Sequence, residues 1–190
     1  MTPAAPVRWN RFAQLLHWLI ALLIVGLGIL GLWMTAMAPS VAKINVYLLH
    51  KSIGITVLVL VGLRLVWRLA TSHPPEMPGP AWQRWSASIV HGALYVMMLV
   101  MPLSGWLFNS ASNFPLHWFG LVKLPALWSP DPGVKYWALQ VHEYGFWTLA
   151  VLVGLHAAAA LKHHYFDHDE TLQRMLPGMP APKPPNGDSP

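Results

Sequence analysis

The chain has 190 residues, 55% of them hydrophobic and 10% charged, with a formal net charge of +5. Soluble domains carry about 25% charged residues, so an ordinary water-soluble globule is excluded. There are no cysteines, which excludes disulfides, iron–sulfur clusters and thiolate chemistry, and the scattered basic residues form no stripe of the kind that binds nucleic acid.

Apolar runs of about 20 residues can cross a bilayer, and four are present. The first is Phe12–Ala36, with His17 near its start. Arg8 and Arg11 before it and "AMA" at its end have the outline of a signal peptide, but a signal core is about 7–15 residues and this run is far longer. After the short turn "APSVAKI" comes the second run, Val46–Ala70, with His50 and Lys51 near its start. The proline-rich loop "TSHPPEMPGPAW" leads to the third, Ala87–Ser110, which carries His91. A longer connection, "ASNFPLHWFGLVKLPALWSPDPGV", is expected to lie on the membrane surface as an interfacial segment, with a short interfacial helix as one form it could take. The fourth run, Tyr136–Leu161, holds His142 and His156 and ends in His163 and His164. Residues 179–190 form a proline-rich tail of a kind that stays disordered, leaving 1–178 as one transmembrane domain. Trp9, Trp18, Trp33, Trp67, Trp85, Trp106 and Trp137 sit near run ends as an aromatic belt. The expected fold is all-α: an integral membrane four-helix bundle.

Orientation follows from the basic residues. With the N-terminus in the cytoplasm, Arg8, Arg11, Arg64, Arg68, Arg84, Lys162, Arg174 and Lys183 fall inside, and Lys43, Lys51, Lys123 and Lys135 fall outside. The positive-inside rule then puts both termini in the cytoplasm.

A histidine inside a span is by default a candidate functional group. His142 and His156 are fourteen residues apart, which is roughly 21 Å and close to four turns of helix. They therefore share one face at two depths. His50 matches the depth of His142, and His17 that of His156, so two His–His pairs are expected, one per leaflet. Zinc takes four ligands and suits such pairs poorly without cysteine or carboxylate. Haem iron takes one axial ligand on each face, which a histidine pair supplies, and no position is left open for oxygen. Gly26, Gly28, Gly31, Gly54, Gly145 and Gly154 would admit a flat macrocycle, although ordinary small-residue helix packing explains each one equally well. Any single histidine also has a plain reading as an interfacial or hydrogen-bonded side chain. His91 sits at the inner depth without a matched partner, which suits a supporting or quinone-side role. His163 and His164 are open between interfacial anchoring and the rim of a haem-carboxylate or quinone site. His73, His117 and His168 read as loop residues.

"RFAQLLHWLIALLI", "HKSIGITVLVLVGLRLVWRL", "HGALYVMMLVMPLSGWL" and "HEYGFWTLAVLVGLHAAAALKHHYF" resemble the bacterial cytochrome b561 family, related to the cytochrome b subunits of nickel–iron hydrogenases. The likeness runs over about residues 8–178 and is most specific in "GLHAAAALKHHYFDHDETLQRMLPG". It implies a bacterial inner-membrane four-helix bundle with two b haems, His17 and His156 holding the inner one and His50 and His142 the outer. It also implies exchange with ubiquinone, and the most similar type of member, the superoxide oxidase, moves electrons from superoxide to ubiquinone. Lys51 with the other outside lysines would steer a small anion to the outer face, or would simply meet lipid headgroups. Arg11 and Arg64, with Arg8, Arg68 and Arg84, could pair with haem carboxylates, and they satisfy the positive-inside rule in any case. The expected function is electron transfer between an outside donor, with superoxide as the candidate, and ubiquinone. An alternative is a cytochrome b anchor subunit joining a partner dehydrogenase or hydrogenase to the quinone pool. A third is a bundle without haem.

Overall fold

The computed structural model describes residues 8–72, 74–75 and 79–178. His73 and the tail 179–190 lie outside these residues. The elements in chain order are α1 (Arg11–Ala36), α2 (Val41–Ala70), α3 (Ala81–Ala111), β1 (Leu116–Trp118), β2 (Val122–Leu124), α4 (Pro132–Tyr165) and a 3-10 turn at Gln173–Met175. All four helices are long and apolar enough to cross a membrane.

Every helix extends beyond its apolar run, because hydropathy marks what meets lipid and capping marks where a helix begins. Asn10 starts α1: its Oδ1 accepts from Ala13 N at 2.9 Å and also from Trp67 Nε1 at 3.2 Å. Ser40 starts α2 by accepting from Lys43 N, so the expected turn shrinks to four residues, Met37–Ser40. Asp131 starts α4 by accepting from Gly133 N and Val134 N, with Pro132 in the first turn. Such caps contribute about 1 kcal/mol each.

α3 packs most extensively on α4, α1 on α2, and α2 on α3. Ile20, Val57 and Val61 form the buried core, with Leu23, Ile24, Leu60 and Met98 around them. Large apolar side chains nonetheless point outward over most of the surface: Leu22 is 70% exposed and Val59 64%. That pattern belongs in lipid. Tails as apolar as the core provide no hydrophobic drive between helices, so packing and polar ties hold the bundle. Arg64 is one such tie: it donates to Ala13 O at 2.9 Å and to the Tyr95 hydroxyl at 3.2 Å, joining α1, α2 and α3. Lys51 is another, donating to Asn109 Oδ1 at 2.8 Å between α2 and α3.

The connection before α4 contains a β-hairpin rather than a helix. β1 pairs antiparallel with β2 in the register Leu116↔Leu124, His117↔Lys123, Trp118↔Val122. The chain reverses at Phe119 and Gly120, both at positive φ (49° and 74°), a geometry glycine takes without strain. Prolines on both sides disfavour a helix here. Buried Ser52 of α2 fixes the hairpin: its hydroxyl accepts from Phe119 N at 3.0 Å, and Trp118 Nε1 donates to Thr56 Oγ1 at 3.1 Å.

At the other end, the segment after α4 returns over the start of α1. Trp9 N and Gln14 Nε2 donate to Arg174 O, Trp18 Nε1 to Met175 O and Arg8 to Leu176 O. The bundle therefore has a hairpin end and a termini end. Ser52→Ala strands the Phe119 N–H, a loss of about 1 kcal/mol; hydrogen exchange at Phe119 is expected to quicken roughly fivefold, with the helices unaffected.

Candidate functional site

The histidines gather in two layers. At the termini end, the ring centres of His17 (α1) and His156 (α4) are 6.1 Å apart, with planes at 70°. At the hairpin end, His50 (α2) and His142 (α4) are 6.2 Å apart at 74°. The near-equality has a simple meaning. An imidazole nitrogen sits about 2 Å from a first-row metal, so one ion held between two imidazoles sets the ring centres roughly 6 Å apart. Both pairs fit a single axially ligated iron.

His91 of α3 does have a neighbour: its ring centre is 5.2 Å from that of His156. That is too close for an iron between them. His91 therefore stands beside the His17–His156 pair, with Arg64 reaching across the same end of the bundle.

Second contacts support the pair at the hairpin end. His142 Nδ1 lies 3.0 Å from Met101 O and 3.2 Å from Ser104 Oγ. A carbonyl only accepts, so Nδ1 carries the proton and Nε2 keeps the lone pair a metal needs. Gly105 leaves room for this ring, because a Cβ there would sit 3.1 Å from His142 Cε1. His50 Nδ1 is buried without a hydrogen-bond partner among the described residues, and Gly31 lies against that ring. Each layer offers a facing pair of imidazoles, and at the hairpin end Gly31 and Gly105 lie against the rings. These residues fit haem iron better than a four-ligand ion.

The other expected site residues separate. Lys51 donates to Asn109 Oδ1 between α2 and α3, and Arg64 donates to Ala13 O and the Tyr95 hydroxyl. Arg11 is exposed in the first turn of α1. His164 meets Tyr165 edge-on, with ring centres 4.9 Å apart. His163 contacts Asp169 Oδ2 at 2.6 Å and Asp167 Oδ2 at 3.1 Å, while Lys162 pairs with Asp167 at 2.6 Å. This cluster latches the returning segment to α4. His168 stands in that segment at positive φ, and His117 lies in β1.

Sequence reasoning passed over Ser104, Gly105 and the Met101 carbonyl. Their signal was the proline within "MPLSG", Pro102, which lies inside the unbroken helix α3. It also passed over Gln14, a fully buried polar residue three positions before His17.

Four spanning helices that bring histidines together in two facing pairs define a membrane haem protein of the electron-transferring b type. The chain belongs to the prokaryotic cytochrome b561 family, whose profile matches residues 8–178. This is a family of bacterial membrane proteins that bind b-type haem and transfer electrons. The chain is 33% identical over 183 residues to cytochrome b561 homolog 2 of Escherichia coli (strain K12), covering 90% of this chain and 92% of that protein. It is 34% identical over 176 residues to cytochrome b561 homolog 1 of the same organism, covering 88% and 98%. It is 29% identical over 167 residues to a protein of Yersinia pestis named probable superoxide oxidase CybB, covering 85% and 92%.

The latch has a pH dependence of definite sign. Partial burial pushes the Asp169 carboxyl up, but hydrogen bonds from Thr171 and His163 outweigh it and hold the carboxyl below its ordinary value. A carboxyl that ionises more readily when folded stabilises the fold fully above the ordinary carboxylate range, and that contribution fades as pH falls through the lower folded value. Amide exchange in 171–176 should therefore be slow from neutral pH down to about 4 and quicken below it. Asp169→Asn should give the fast exchange at neutral pH.

Proposed function

We propose that this chain is a di-haem cytochrome that passes electrons from a donor outside the cell membrane to ubiquinone. The observation that carries this reading is the matched spacing of the two histidine pairs, 6.1 and 6.2 Å. Haem supplies reversible one-electron chemistry when bound. His17 and His156 would hold one haem at the termini end, and His50 and His142 the other at the hairpin end. Imidazole on both faces favours electron transfer over oxygen activation. Residues 1–178 serve as one functional unit, with both termini in the cytoplasm and the hairpin end outside.

The remaining site residues divide by end. At the hairpin end, Lys43, Lys51, Lys123 and Lys135 stand against Asp131 and Glu143. A net positive rim draws small anions, and superoxide is a donor of that kind. The name of the Yersinia pestis relative points the same way. At the termini end, exposed Arg11 would offer its guanidinium to haem carboxylates while Arg64 keeps its hydrogen bonds to Ala13 O and the Tyr95 hydroxyl, and His91, His163 and His164 would supply protons to a quinone.

The pairing predicts haem content. His156→Ala and His142→Ala should each reduce the purified protein from two haems per chain to one; two haems retained in either variant would overturn the pairing. The donor is tested separately. Enzymatically generated superoxide should reduce the purified cytochrome rapidly, and superoxide dismutase should abolish that reduction. Reduction by ubiquinol alone, with no response to superoxide, would assign a different donor.

A further inference from the structure

Neither ring of the hairpin-end pair comes from α3, yet α3 makes three contacts with the ring that α4 brings. His142 Nδ1 lies 3.0 Å from Met101 O and 3.2 Å from Ser104 Oγ. Ser104 is buried, and its hydroxyl donates to Met101 O at 2.9 Å, which holds the two acceptors together. The third contact is Gly105, where an added Cβ would lie 3.1 Å from His142 Cε1 and 3.3 Å from Nδ1. Three residues further along α4 the roles are reversed. A Cβ added at Gly145 would lie 2.8 Å from Met101 Sδ and 3.2 Å from Met97 Cε. Residues three or four apart share one helix face, so α3 receives a ring at Gly105 and α4 receives a side chain at Gly145. The two glycines let the helices approach closely and set their register at the depth of His142.

A metal-binding histidine depends on what its second nitrogen donates to. That partner orients the ring and raises its basicity, and its loss costs about 10–100-fold in metal affinity. Resting on the haem reading above, we infer that Gly105, with Met101 O and Ser104 Oγ, positions the hairpin-end haem through His142: α3 fixes the plane of this ring, keeps it electron-rich and thereby sets the reduction potential of that haem alone. An electron-rich imidazole favours ferric over ferrous iron and lowers the potential. A methyl group at 105 forces the ring to give way. A ring held to α4 at Cβ and to iron at Nε2 yields chiefly by turning about the line between them. Turning changes its plane and carries Nδ1 off Met101 O, and a hydrogen bond weakens steeply as it loses alignment.

The test is a redox titration of the haem-loaded full-length chain in detergent, read by absorbance and by electron paramagnetic resonance. The hairpin-end haem is identified as the one lost in His142→Ala. Gly105→Ala should keep wild-type haem content and weaken ferric relative to ferrous binding about tenfold at that haem, a rise of about 59 mV for a one-electron couple. Its largest ferric g-value should also move, because that value follows the angle between the two axial planes, 74° here. Ser104→Ala removes an acceptor without adding volume and should move the same haem in the same direction by less. Gly62→Ala, where an added Cβ meets nothing within 4 Å, should match the wild type. Wild-type potentials and g-values in both Gly105→Ala and Ser104→Ala overturn the inference. So does an equal shift at both haems, which marks a general loosening of the bundle. Should Gly105→Ala fail to assemble, Ser104→Ala decides by the same criteria. A purified wild-type chain without haem would instead bring down the reading on which the inference rests.

Discussion

Lipid offers no partner to a polar side chain, so each histidine within the spans must be satisfied by protein or by a bound group. That constraint organises the bundle. α4 carries His142 and His156 on one face because fourteen residues nearly complete four turns, and α1 and α2 each bring one histidine to meet them. The chain order of the helices follows from the short turn at Met37–Ser40 and from direct packing between neighbours. The two layers are consequences of one helix pitch.

The number of helices, the pairing of His17 with His156 and that of His50 with His142 were all legible in the sequence, because hydropathy reports depth and helix period reports face. In the structure the ring centres of His17 and His156 lie 6.1 Å apart and those of His50 and His142 6.2 Å apart. What was not legible depends on contacts between distant segments. The hairpin at 116–124 was expected as an interfacial segment, with a helix as one form. Its strands exist because Ser52 and Thr56 of α2 supply partners to Phe119 and Trp118, and nothing local announces that. His91 read as a residue without a partner, since depth alone cannot tell which helices are neighbours. α3 lies against α4, and this places His91 beside His156.

The polar ties are divided between the ends. Arg64 gathers three helices at the termini end, and Lys51 with Asn109 joins two at the hairpin end. Each tie uses a long side chain whose head finds an oxygen on another helix. Between them the middle of the bundle is left to Val57, Val61 and Ile20. A structure with polar fasteners at both rims and apolar packing between suits a bilayer that is wet at its faces and dry at its centre.

The segment that returns over α1 is recognised through its main chain. Trp9, Gln14, Trp18 and Arg8 all donate to the carbonyls of residues 174–176. Every amino acid carries a carbonyl. Side chains at Met175 and Leu176 can therefore drift with little effect on these bonds, and the information that closes this end of the molecule is written in and just before α1, at the opposite end of the chain.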